Sequence, residues 1–173
     1  AAISAMLRHG GRKGLKNPEV ILTEDYFHGR TWIFGSNALF DEDQSKWRVP
    51  KCPGVKVVKD DVSEIEKAID ENTVGIFIET HKGEGGPLFS SKEHYMGIRN
   101  LARDKGIFFG ADEIQTGLGR CGYMMAWQEF VEEGEEFGKE KARPDFITLG
   151  KALGGGVIPV SAVAGTDEFM EVF

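Results

Sequence analysis

Five short apolar runs, rich in β-branched and aromatic residues and bounded by turn formers, recur at 20–22, 55–58, 74–78, 107–109 and 146–149. Runs of that length and composition suit strands. Between them lie stretches of helical periodicity at 62–69 and at 92–105, where Tyr95, Ile98 and Leu101 recur every three residues and fall on one face. Strand alternating with helix marks an α/β domain, a largely parallel sheet covered by helices. A sixth run at 160–164, beyond a glycine-rich turn, predicts one more strand. Ligands of such a sheet gather at the carboxyl ends of its strands.

A chain of 173 residues is long enough for one sizeable core, and one domain is expected. The net charge of −7 argues against nucleic acid or an anionic membrane as a main partner. No apolar run approaches the roughly 20 residues of a membrane span, and no signal-peptide pattern is visible. A soluble intracellular protein is expected, with cytoplasm and mitochondrial matrix not distinguished. Cys52 and Cys121 stand far apart and without metal-type spacing, which argues for a reducing compartment and against a disulfide framework or zinc site. Residues 1–8 and 167–173 have helical character without start or stop signals, so both ends read as cut from something longer. The charged segment at 129–143 reads as a solvated surface excursion, the other reading being an acidic loop for a partner.

Two segments carry chemistry. The run at 107–111 leads directly into Asp112-Glu113-Ile114-Gln115-Thr116-Gly117 and so sets two carboxylates at a strand end. An acid held there needs a counter-charge or hydrogen bonds and can pair with a cationic ligand; read alone, Asp112 could instead cap the turn that follows. After the next strand comes Gly150-Lys151-Ala152-Leu153-Gly154-Gly155-Gly156, a lone lysine beside glycines that let backbone approach a ligand closely. Lysine attacks carbonyls when desolvation or a neighbouring cation lowers its pKa.

Together these segments resemble the class III, ornithine-type aminotransferases, through Asp112-Glu113-Ile114-Gln115-Thr116-Gly117-Leu118-Gly119-Arg120-Cys121-Gly122 and Pro144-Asp145-Phe146-Ile147-Thr148-Leu149-Gly150-Lys151-Ala152-Leu153-Gly154-Gly155-Gly156. The likeness continues through Pro159-Val160-Ser161-Ala162-Val163 and upstream through Phe27-His28-Gly29-Arg30-Thr31 and residues 79–86, covering most of the chain. It implies a three-layer fold with helices on both faces of the sheet, the large domain of the fold type I enzymes that use pyridoxal 5'-phosphate. It also implies roles. Lys151 matches the lysine that holds the cofactor as a Schiff base and then moves a proton between substrate and cofactor. Asp112 matches the aspartate that pairs with the pyridinium nitrogen. Gln115 matches a residue near the ring oxygen, Phe27 the aromatic stacked on the ring, and His28 lies beside it; read alone, His28 is a surface histidine near a turn. Glu79 and Glu84 match two acids facing the substrate. The reaction implied is transamination of an ω-amino acid such as ornithine or N-acetylornithine, with 2-oxoglutarate as amino acceptor, in a homodimer. A 4-aminobutyrate-type substrate is the other possibility.

The family's Glu-Pro-x-Gln-Gly-Glu-Gly-Gly stretch reads here Glu79-Thr80-His81-Lys82-Gly83-Glu84-Gly85-Gly86, which puts the local turn and substrate preference in doubt. The charged segment lengthens the usual spacing between Asp112 and Lys151. The family's phosphate-binding loop, a later phosphate-binding threonine and the small domain have no counterpart in residues 1–173, so the chain reads as part of the cofactor-binding large domain. A non-catalytic association domain of the same fold is one rival reading. Another is a nucleotide-binding module using Gly117-x-Gly119-x-x-Gly122, although Asp112 and Glu113 would repel phosphate. A metal centre is the least supported, since His9, His28, His81 and His94 lack ligand spacing.

Overall fold

The structure, a computed structural model, describes residues 1–31, 33, 52–84, 86–131 and 140–173; Gly85 and most of the charged segment, residues 132–139, lie outside them. In chain order the strands are β1 (Glu19–Thr23), β2 (Val55–Val58), β3 (Thr73–Glu79), β4 (His81–Lys82), β5 (Leu88–Phe89), β6 (Phe108–Asp112), β7 (Phe146–Leu149) and β8 (Ala162–Gly165). Six of them form one sheet in the order β2-β1-β3-β6-β7-β8. Its pairings are parallel except the last, where β8 runs antiparallel to β7. β4 and β5 make a separate antiparallel pair. The helices are α1 (Ala2–Arg12), α2 (Val62–Ala68), α3 (Lys92–Lys105) and α4 (Asp167–Met170), with 3₁₀ turns at Ala126–Phe130 and Lys151–Gly154.

Neighbouring side chains on β1 explain the layers. Val20 and Leu22 join Met6 of α1 and Phe169 of α4 in one core, whereas Ile21 joins Ile65 of α2 and Tyr95 and Ile98 of α3 in the other. The central strands β1, β3 and β6 are thus buried on both faces, which is why they read as continuous apolar runs. Tyr95 and Phe109, both fully buried, each contribute about 1.5–3 kcal/mol of burial free energy. The helix starts are capped where the sequence supplies a short oxygen: Asp61 accepts from the Ser63 and Glu64 amides, and Ser91 from the His94 amide. Gly106, at φ 65°, closes α3 in the left-handed region.

Strands β2 and β7 and helix α3 fall where periodicity places them. Strand β6 continues past Phe109 to Asp112 because residues 110–112 pair with β3 on one side and β7 on the other, and the Phe146 ring lies over Gly110, where an added Cβ would overlap it. That ring also stacks on Phe169 with centroids 4.1 Å apart. The charged segment is anchored at both ends rather than wholly solvated: Trp127, Phe130 and Ala142 are buried in the core with Tyr95. Three residues of α1 hold the far end of the chain. His9 Nε2 lies 3.0 Å from the Phe169 carbonyl oxygen, and Arg8 and Arg12 donate to the Val172 and Glu171 carbonyls.

Candidate active site

The parallel register sets Glu79, Asp112 and Thr148 side by side across the carboxyl ends of β3, β6 and β7. The segments leaving β1, β6 and β7 each hold a non-glycine residue at positive φ: Asp25 at 65°, Leu118 at 57° and Lys151 at 41°. These are the only such residues among those described. Left-handed backbone costs such residues on the order of 1 kcal/mol or more, and it concentrates where a site demands it.

Asp112 is buried, and its two oxygens are used differently. Oδ1 accepts from the Thr148 hydroxyl (2.9 Å) and the Ile114 amide (3.0 Å). Oδ2 lies 2.8 Å from His28 Nδ1, with both side chains almost fully enclosed. Asp112 therefore caps the following turn through Oδ1 and stands at the carboxyl end of the sheet. His28 is not at the surface: its ring stacks on Phe77 with centroids 4.4 Å apart. A cavity of about 540 Å³ opens over this edge, lined by His28, Phe77, Asp112, Thr148 and the first turn of α1 at Ile3 and Ser4.

Lys151 stands on the first residue of its 3₁₀ turn, exposed, with Nζ donating to Gln115 Oε1 at 2.8 Å. Gln115 is in turn packed against Gly83, where a Cβ would collide with its amide oxygen. Glu79 is buried and its Oε2 accepts the Phe27 amide at 3.0 Å. Burial pushes the Glu79 carboxyl up to about 7, against the Phe27 amide and the charge of His28. Phe27 is half-buried with the Arg30 guanidinium 5.7 Å from its ring centroid. The structure thus brings together Asp112 with His28, Lys151 with Gln115, and Glu79 with Phe27. Glu84 is exposed on the turn beyond Gly83 and joins none of these contacts.

Two contributors escape a reading of the sequence. Thr148 is one; an inward threonine at the end of an apolar strand is the signal for it. Glu113 is the other, since it is a buried clamp rather than a second exposed acid. Its carboxylate accepts from Thr80 and Thr116 hydroxyls and from the Ala126 and Trp127 amides at 2.7–3.1 Å. The departures from the family stretch are also accounted for. Thr80 serves Glu113, His81 Nε2 meets Glu129 at 2.9 Å, and Lys82 meets Asp60 at 2.8 Å, which His94 also contacts at 3.0 Å. Three altered side chains each meet a carboxylate, and the turn they carry reaches Gly83 above Gln115.

Residues 116–122 form turns, not a strand-to-helix junction; the Leu118 and Gly119 amides bond back to the Met124 and Tyr123 carbonyls. A phosphate cradle needs those amides free at a helix start, so the nucleotide reading lapses. Among the described residues no group of three or more His, Cys, Asp or Glu could hold a metal ion, and no helix is long and apolar enough to cross a membrane.

A parallel sheet with an acid and a lysine at adjacent strand ends defines a class of protein, and residues 1–173 match the family described as Aminotransferase class-III; the chain belongs to that family. More particularly, it is 41% identical over 156 residues to ornithine aminotransferase of Oceanobacillus iheyensis, covering 90% of this chain and 36% of that protein. It is 34% identical over 175 residues to acetylornithine aminotransferase of Aquifex aeolicus, covering 100% of this chain and 43% of that protein. A crystal structure of ornithine aminotransferase from Toxoplasma gondii, with partial occupancy of PLP at its active site, superposes with a TM-score of 0.83 at 31% identity over 97% of this chain and 38% of that one. The chain spans about two fifths of the length of these relatives.

Proposed function

We propose that the full-length protein is a pyridoxal-phosphate-dependent aminotransferase acting on ornithine or N-acetylornithine, with 2-oxoglutarate as amino acceptor. The observation that carries this reading is the pairing of strand ends: buried, hydrogen-bonded Asp112 on β6 beside the strand that delivers Lys151. The residues present fit the cofactor. A carboxylate with three donors at the edge of a mixed cavity suits a protonated ring nitrogen, and an accessible primary amine suits an aldehyde. When bound, the cofactor supplies the electron sink that lets a carbon next to an amine lose its proton.

The chain's own groups do the rest. Asp112 would accept from a protonated ring nitrogen, while Thr148, the Ile114 amide and His28 hold Asp112 in place. Lys151 would hold the cofactor through Nζ, and the same amine, when free, would carry a proton for the reaction. Gln115 orients that amine through Oε1. Phe27 offers an apolar face for ring stacking. The substrate side falls to Glu79 and Glu84, the latter being exposed to incoming molecules. The ornithine-type relatives support the substrate choice.

Full-length protein given pyridoxal phosphate should absorb visible light, and borohydride reduction followed by peptide mapping should place the cofactor on Lys151. A label on another residue, or an unchanged spectrum in Lys151→Ala, refutes the reading. We also assign a homodimer. The segment after Lys151 exposes Leu153, Val157, Ile158 and Val160, with Val157 84% exposed, and such an apolar row is suited to burial against a second copy. Sedimentation of the full-length protein should give a dimer and Ile158→Asp a monomer; a wild-type monomer removes the assignment.

A further inference from the structure

Two carboxylates close neighbouring parallel strands. Glu79 on β3 is the register partner of Asp112 on β6, and each residue is 4% exposed. Like charges so placed at a poorly solvated edge disfavour each other, which favours a proton on one member, and the environments decide which. Asp112 is surrounded by donors, namely the Thr148 hydroxyl, the Ile114 amide and His28. Glu79 receives the Phe27 amide on Oε2. The richer donor set stabilises charge on Asp112 and leaves the proton to Glu79.

We infer that Glu79 is the proton-holding member of this pair, a positioning residue that fixes Phe27 through its amide and gives its proton to solvent when a cationic ring neutralises Asp112. The inference rests on the cofactor reading proposed above. Burial pushes the Glu79 carboxyl up to about 7; the Phe27 amide and His28 oppose that push, Asp112 adds to it and Lys151 opposes it. The groups facing Glu79 are therefore Asp112 from β6, His28 and Tyr26 from the segment after β1, and Lys151 from the turn after β7. The Tyr26 phenol is itself pushed up by burial, with Asp60 and Glu79 adding, so it stays neutral and does not compete for the exchange.

The step balances simply. Once a protonated ring nitrogen sits against Asp112, the Asp112 share of the upward push on Glu79, a smaller one than that of burial, is cancelled and the balance moves toward the carboxylate. The O–H bond of Glu79 breaks, the carboxylate keeps the electron pair, and the proton leaves to solvent. The same proton gives a stability signature. Between the ordinary value of 4.5 and about 7, the folded chain holds a proton that the unfolded chain has lost. Glu79 therefore costs nothing below that window and costs stability increasingly as the pH rises through it.

Cofactor binding to cofactor-free full-length protein is measured calorimetrically at about pH 7 in two buffers of different ionisation enthalpy, which yields the protons exchanged. Glu79→Gln is neutral, matches the protonated acid in shape and keeps an oxygen for the Phe27 amide. Because a carboxyl with a pKa of about 7 is half-protonated at that pH, wild type should release more protons than Glu79→Gln, the difference reaching at most about half a proton. Equal counts overturn the inference. Infrared spectroscopy without cofactor gives a second reading: a protonated-carboxyl band at neutral pH that fades on alkalinisation in wild type and is missing from Glu79→Gln. Its absence from wild type overturns the inference even where the variant does not fold. Wild type that takes up no pyridoxal phosphate refutes the cofactor reading instead, and the infrared band then decides by itself whether Glu79 holds a proton.

Discussion

Asp112→Asn in the full-length protein should slow transamination about a thousandfold while most of the bound cofactor is retained, a magnitude typical of removing one preorganised electrostatic partner from a transition state. Asparagine preserves the volume and keeps one oxygen for the Thr148 hydroxyl and the Ile114 amide, both on Oδ1 in the native residue. What it loses is the charge beside His28. On the proposed cofactor reading, an uncharged amide there would not keep the ring nitrogen protonated, and the ring would withdraw electrons poorly. The proposed attachment through Lys151 should be untouched, since that amine meets Gln115 and not Asp112. Single-turnover kinetics with ornithine, set beside cofactor absorbance, separates the two effects. Wild-type rates in Asp112→Asn would remove Asp112 from the mechanism.

Glu113→Ala has the opposite profile: a large loss of stability, about 3–5 kcal/mol, irrespective of cofactor. Glu113 is 1% exposed, and its carboxylate ends four donors drawn from β3's terminus, its own loop and the 3₁₀ turn at Ala126–Phe130. Truncation leaves the Ala126 and Trp127 amides buried with no acceptor, beside a void. Glutamine offers one oxygen but turns an NH₂ group toward remaining donors, so it should rescue only in part. Thermal unfolding of the cofactor-free protein should show a much lower midpoint for Glu113→Ala and a nearly native one for Asp112→Asn. Equal midpoints for wild type and Glu113→Ala would mean that water replaces the clamp.

The layered sheet is legible because its strands are buried on both faces, and continuous apolar runs such as 74–78 can hardly be anything else. The end of β6 was harder, since Gly110 and Ala111 carry no strand preference and the Phe146 ring that covers Gly110 comes from 36 residues further along. Asp112 and Lys151 could be picked out by their place after strands. The different partners of Asp112 and Glu113 could not, because alternation along a strand end sends adjacent side chains to different surroundings and only the tertiary structure says which donors each buried acid meets. The same holds for Thr80, His81 and Lys82: as departures from the family stretch they put the local turn and substrate preference in doubt, and each side chain meets a carboxylate distant in sequence.

The clasp between α1 and the carbonyls of residues 169–172 bears on how the molecule is made. Arg8 and Val172 lie 164 positions apart, so the first helix cannot reach its final anchor until almost all of this segment has left the ribosome. Contacts of such separation incur loop-closure entropy before they return any stability, and they slow folding. Until then the face of β1 and β3 that Met6 covers is without its last support. This half of the sheet lacks part of its core until Phe169 has been made.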